Sequence, residues 1–332
     1  MATTLTSEQV LSEKSAAENQ TIDINNDEPI ITLISDSKKS SCQVHLHGAT
    51  VTSWKVNDKE RIFLSKKAIC DKPGKGIRGG IPIVFPNFGP WACGPQHGFA
   101  RARKWKIVKK SDRSASFELT ENEESLKMWD HKFKLTYTVK VTDTKLLTTL
   151  EVKNCNDIAD NGTDKSFDFT TLLHTYFRVS DISNVALNGF KNCEYVDALQ
   201  EKKILTENSD AVKISENVDS VYFKTNDEHT IIDHTSNPPT KINIRKTNLP
   251  DTVVWNPWIE KAKAMGDFDD EEYKEMVCVE AGYVNERKVL AAGDVFICEQ
   301  VLEEECGVID LDLEDDGQET SNGCEYFGSF AK

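Results

Sequence analysis

No run of apolar residues in this 332-residue chain approaches the length a membrane-spanning helix needs. Met1 to Gln20 is polar throughout and has neither an apolar centre nor a cleavage pattern, so it does not read as a secretory signal. The nine cysteines are odd in number and lack zinc-type spacing. Cys278 and Cys298 sit inside apolar, strand-like runs, and the plain reading is reduced thiols in a cytoplasmic protein. Nucleotide-binding signatures are also missing. Gly76-Ile-Arg78-Gly-Gly carries no following Lys-Ser/Thr and does not follow a strand in the dinucleotide pattern.

Positive charge is the scarcest property, with 40 Lys and Arg against 55 Asp and Glu and a formal net charge of −15. The imbalance is local. Residues 1–28 hold six acids and one base, and residues 303–332 hold ten and one. The remainder carries 39 acids against 38 bases. Acidic tails on a near-neutral body exclude nucleic acid as a partner but leave room for a local cationic pocket.

What is present is mostly β. Leu135-Thr-Tyr-Thr-Val-Lys-Val-Thr142 alternates cleanly, placing Leu135, Tyr137, Val139 and Val141 on one face, and Leu146 to Lys153 follows across a short turn as a hairpin partner. Cys42 to Val56 suggests one or two strands bent at Gly48. Ser116–Leu119, Ser183–Asn192, Asp219–Phe223, Thr240–Arg245, Val277–Val279 and Val295–Gln300 supply further strands. Asp251 to Pro257 reads as the way into a Trp255-Asn-Pro-Trp258 loop, with a short helix near Asp269–Lys274. Without βαβ alternation, the expectation is an all-β fold, a large antiparallel β-sandwich spanning residues 29–302. Residues 1–28 and 303–332 read as disordered tails, with a brief helix possible at Glu8–Ala17.

Four stretches carry the chemistry. Phe169-Thr-Thr-Leu-Leu-His174-Thr-Tyr-Phe-Arg178-Val179 reads as one buried strand with a histidine in its middle. A lone histidine in such a run is as a rule a hydrogen-bonded core residue. Lys75 to Arg101 is long and irregular, because four prolines forbid a helix and its glycines permit tight turns and close approach to a ligand. It is either a structural cover or a binding loop. Within it lies Pro95-Gln96-His97-Gly98-Phe99-Ala100-Arg101. Val277-Cys-Val-Glu280-Ala-Gly282 ends a strand on a glutamate, which a salt bridge would also explain. Asp219 reads as a turn residue. His45 and His47 share a face, but no nearby carboxylate completes a metal site, and no metal or cofactor is expected.

Together, and in this order, the four stretches resemble the hexose-phosphate mutarotase branch of the aldose 1-epimerase family, from about Ile31 to Glu299. The resemblance implies the galactose-mutarotase supersandwich as one domain. It implies that His174 protonates the sugar ring oxygen while Glu280 takes the O1 proton, and that Arg78, Gln96, Arg101 and Asp219 contact substrate. His97, beside Gln96, either assists at the sugar or fixes the loop. Relatives often carry proline where Ala281 stands, a difference of backbone stiffness rather than of the carboxylate.

That chemistry fits the residue types. Interconverting the anomers of an aldose needs one base for the O1 hydroxyl and one acid for the ring oxygen, and a tuned His/Glu pair suffices. Arginines offer planar donor forks for a phosphate. The expectation is therefore a monomeric cytoplasmic epimerase of hexose 6-phosphates, chiefly glucose 6-phosphate. An aldose 1-epimerase of free sugars and a non-catalytic carbohydrate-binding sandwich are the alternatives. A glycosidase using Asp219 and Glu280 would leave His174 without a role.

Overall fold

Alternation of buried and exposed side chains is the organising fact of this chain. Along Phe133–Val141 every second side chain is buried, and the same holds along Lys145–Asn154. These two strands pair as the expected hairpin, with Phe133 opposite Asn154 and Val141 opposite Leu146. The computed structural model describes residues 28–157, 165–200 and 203–305. Residues 1–27, with the Glu8–Ala17 segment, and residues 306–332 lie outside them.

The described strands form three sheets, and every strand-to-strand pairing is antiparallel. A four-stranded sheet runs from Ile30 to Glu60. One eight-stranded sheet contains the Phe133–Asn154 hairpin and the Val295–Glu304 strand. The other holds the candidate site. Its central run is Val218–Tyr222, Asp251–Asn256, Met276–Leu290, Phe167–Leu173 and Ile83–Val84. The inner faces close on one apolar core drawn from all three sheets. Phe169 meets Phe296 and Phe85 meets Phe133 between the two large sheets, at ring separations of 5.7 and 5.6 Å. A buried polar tie crosses the same gap, where the Gln300 amide donates to the Thr175 hydroxyl at 3.0 Å.

Four readings of the sequence change here. The histidine stretch is not one strand. It is Phe167–Leu173 and Tyr176–Arg178, broken at His174–Thr175. In the break the His174 N–H donates to Pro82 O at 3.0 Å. Asp251–Asn256, expected as the approach to a loop, is a fully buried central strand, and the α-helix follows directly at Trp258–Ala264. The Asp269–Lys274 region contains only a 3-10 turn at Glu272–Glu275. The strand carrying Glu280 does not end there but continues to Leu290, so the carboxyl lies mid-strand.

The final strand runs to Glu304, just past the expected boundary at 302. Its Glu304 carboxylate accepts from Arg61 Nε at 2.7 Å and Nη2 at 2.5 Å, and both side chains are largely buried. Bonds to a charged group of this kind contribute about 1.5–3 kcal/mol, so Glu304→Gln should lower unfolding stability by about that much in a urea titration.

His229 gives a second stability prediction. It stacks on Phe190 at 4.4 Å and lies 3.0 Å from the Thr252 hydroxyl. Burial, then the nearby Lys246 charge, lowers its pKa from 6.5 to about 3. As pH falls below 6.5, the unfolded chain takes a proton that the folded one refuses. Its contribution to stability is whole above 6.5 and is lost on acidification toward 3. Stability should therefore fall by up to about 1.4 kcal/mol per pH unit from this group, and His229→Gln should show a shallower fall in urea midpoint.

Candidate active site

The strand break sets the histidine. Leu173 pairs with Ala281, and Tyr176 pairs with Cys278, so His174 lies across from Glu280. His174 Nδ1 comes within 3.3 Å of Glu280 Oε2. The two atoms are buried, and neither has a hydrogen-bond partner. The imidazole stacks face to face on Tyr176, with ring centres 4.6 Å apart at 9°, and meets the edge geometry of Trp255 and His97 at 6.2 and 5.8 Å. Three aromatic neighbours therefore fix the ring plane.

The irregular segment is stitched to this strand. Ile83 and Val84 pair with Leu173 and Leu172, and Phe88 N–H donates to the Thr170 hydroxyl at 2.7 Å. Gly98 is required where the segment returns, at a φ of +72°. A Cβ there would stand 2.1 Å from Phe85 O. The return places Arg101 in a short 3-10 turn, its Nη2 donating to Gln96 O at 2.9 Å. Gly76 lies against the Arg101 side chain, and a Cβ there would approach its Cδ to 2.9 Å.

Arg78 is held differently. Its Nη1 donates to the Tyr176 hydroxyl at 3.3 Å, and its Nε lies 3.3 Å from Asp267 Oδ1. The buried Asp267 also grips Lys75 Nζ at 2.9 Å. His97 packs on Phe88 at 5.3 Å, and its Nδ1 accepts from Gly89 N–H at 3.2 Å, so the histidine fixes the loop as well as facing His174. The Gln96 amide, 3.3 Å from His97 Nε2, sits at the exposed rim. On the other side Asp219, in register with Trp255, pairs with Lys261 Nζ at 3.3 Å. Asp219 is thus a strand residue, not a turn.

Burial governs the electrostatics. It pushes the Glu280 carboxyl well above its ordinary range, aided by Asp219 and opposed by Arg101. It pushes His174 well below its own, with His97, Arg101 and Arg78 adding to the effect. Burial and the same two arginines hold His97 at about 3. The resting pair thus favours its proton on Glu280 and a neutral imidazole. Two adjacent groups sharing a proton can act as acid and base in turn.

The fold and this pair are what a mutarotase needs, and comparison with known proteins agrees. The family description "Aldose 1-epimerase" matches residues 29–302. The chain belongs to the aldose 1-epimerase family. A Cenchrus ciliaris protein provisionally named glucose-6-phosphate 1-epimerase is 41% identical over 270 residues, 78% of this chain and 79% of that one. An Escherichia coli K12 protein with the same provisional name is 32% identical over 263 residues, 76% and 83% of the two chains. The crystal structure of a provisionally identified mutarotase, YeaD from Salmonella typhimurium, superposes with a TM-score of 0.74 at 26% identity. The match covers 89% of this chain and 99% of that one.

The seven residues proposed from the family resemblance are brought near one another: His97, Arg101 and Arg78 act on His174, Asp219 and Arg101 act on Glu280, and Gln96 adjoins His97. Arg103, two residues beyond Arg101, faces elsewhere. It pairs with Glu124 beside a separate cavity of about 710 Å³, which His45 and His47 also line. Tyr176, Trp255, Lys75, Asp267 and Lys261 are additions. Tyr176 had a local signal, lying two residues from His174. Trp255 and Lys261 were hidden by the loop reading of their segment, and Asp267 by the charged composition around it. Among the described residues no helix is long and apolar enough to cross a membrane.

Proposed function

We propose that this enzyme interconverts the α and β anomers of hexose 6-phosphates, chiefly glucose 6-phosphate, with His174 and Glu280 as the proton-transfer pair. The observation that carries this is the 3.3 Å approach of two buried, otherwise unpartnered groups of opposite acid–base character. Arg101 and Arg78 are assigned to the phosphate, and Gln96, His97 and Asp219 to the sugar side of the site.

Substrate itself readies the pair. A phosphate dianion at Arg78 and Arg101 neutralises two of the charges that depress His174, which makes the imidazole more basic and draws the proton from Glu280. His174 then gives that proton to the ring oxygen as Glu280 takes the O1 proton. The C1–O5 bond breaks and C1=O1 forms. After rotation about C1–C2, O5 attacks the other face, its proton returns to His174, and O1 recovers one from Glu280.

The enzyme works as a monomer in the cytoplasm on this reading. All seven cysteines among the described residues are free, which suits a reducing compartment. Saturation-transfer NMR on glucose 6-phosphate tests the activity. Enzyme should accelerate transfer between the two anomeric protons, whereas binding without acceleration would leave a carbohydrate-binding protein.

A further inference from the structure

Beside the proton-transfer pair stands a third group with no part in that chemistry. Cys278 and Glu280 are alternate residues on one strand, so their side chains leave the same face. His174 comes from the strand break opposite. One donor atom from each of His174, Cys278 and Glu280 lies within 4.8 Å of the other two, and all three residues are buried. Two of the available donors, His174 Nδ1 and Glu280 Oε2, have no partner. We propose that His174, Cys278 and Glu280 form an inhibitory site for a thiophilic divalent cation such as Zn²⁺.

The donor set selects the ion. Imidazole, thiolate and carboxylate suit Zn²⁺, whereas Mg²⁺ and Ca²⁺ want oxygen alone. Zinc bonds of about 2.0–2.3 Å place tetrahedral donors roughly 3.5 Å apart; His174 Nδ1 and Glu280 Oε2 already stand at 3.3 Å, and a set within 4.8 Å needs to contract by about 1 Å at its widest. Charge also balances. A thiolate and a carboxylate offset the two positive charges of the ion, which a buried site requires. On binding, the S–Zn and O–Zn bonds form, and the Cys278 thiol proton and the Glu280 carboxyl proton both leave to solvent. Three protein donors leave a fourth position open toward the sugar side. An ion seated there ties up both groups that the reaction needs, so metal and sugar compete.

The test uses the full-length reduced protein. Cd²⁺ serves as a spectroscopic probe, because its bond to a thiolate absorbs in the ultraviolet. Zn²⁺ is titrated against anomerisation. Cys278→Ser should remove one Cd–thiolate band per chain. It should also raise the half-inhibitory Zn²⁺ concentration by about tenfold or more, with metal-free turnover near wild type. Cys278→Ala serves as a second variant if the serine fails to fold. An unchanged Cd–thiolate band, or equal zinc inhibition of wild type and variant, would overturn the site and place the metal on other cysteines or histidines. The absorption measurement needs no turnover, so its failure leaves the epimerase reading standing.

Discussion

Glu280→Gln should lower anomerisation turnover by a hundredfold or more while leaving the protein folded, since general acid–base groups typically contribute factors of about 10²–10⁴. The glutamine keeps the shape of the side chain and removes only its ability to exchange a proton. Stability should not suffer. The carboxyl is buried mid-strand and is pushed toward its neutral form by burial, so a neutral amide suits the same surroundings. His174→Asn should produce a loss of similar size for the complementary reason. Because both protons move in one event, the double variant should be little worse than either single one. Circular dichroism and urea midpoints check the fold, and exchange NMR checks the rate. A folded Glu280→Gln enzyme with near wild-type rate would remove the glutamate from the mechanism.

Arg101→Ala should raise KM for glucose 6-phosphate by roughly ten- to hundredfold, the equivalent of about 1.5–3 kcal/mol for hydrogen bonds to a charged group. The effect on glucose should be far smaller. Arg101 is the better candidate of the two arginines because of how each is held. Arg78 is already engaged by the Asp267 carboxylate and the Tyr176 hydroxyl. Arg101 rests on a neutral carbonyl, and burial disfavours its charge, so an arriving anion relieves more strain there. Lysine at 101 should recover only part of the loss, since it keeps the charge but not the fork of donors. Raising the ionic strength should shrink the difference between the two sugars, as screening weakens the attraction at a partly open site. Equal losses on both sugars would mean that Arg101 shapes the pocket instead of gripping phosphate.

The sheets were legible because antiparallel strands with one wet face advertise themselves by alternation, as along Phe133–Val141. Where both faces are buried, that signal disappears. Asp251–Asn256 is buried at every position, and its Trp255-Asn-Pro-Trp258 ending reads locally as a turn. The break at His174 was equally silent in the sequence, because it is made by Pro82 and Gly80, roughly ninety residues upstream, accepting the strand's N–H groups. Six of the seven proposed site residues lie in the four motifs, and the seventh, Asp219, came only from the family resemblance they carry, so none was proposed through local physics. Asp267 and Lys261 show the limit of that route. Each acts by pairing with a charge distant in sequence, Arg78 and Lys75 in one case and Asp219 in the other. Composition cannot show such a pair.

In the proposed reaction the His174/Glu280 pair exchanges the anomers of a sugar phosphate whose phosphate the arginines grip. Exchange rates for glucose 6-phosphate and glucose, measured on one preparation by saturation-transfer NMR, test it most directly. The account predicts strong acceleration on glucose 6-phosphate, a much lower kcat/KM on glucose, and near-spontaneous rates for both with Glu280→Gln. Equal efficiency on the two sugars, or acceleration that survives Glu280→Gln, would contradict it.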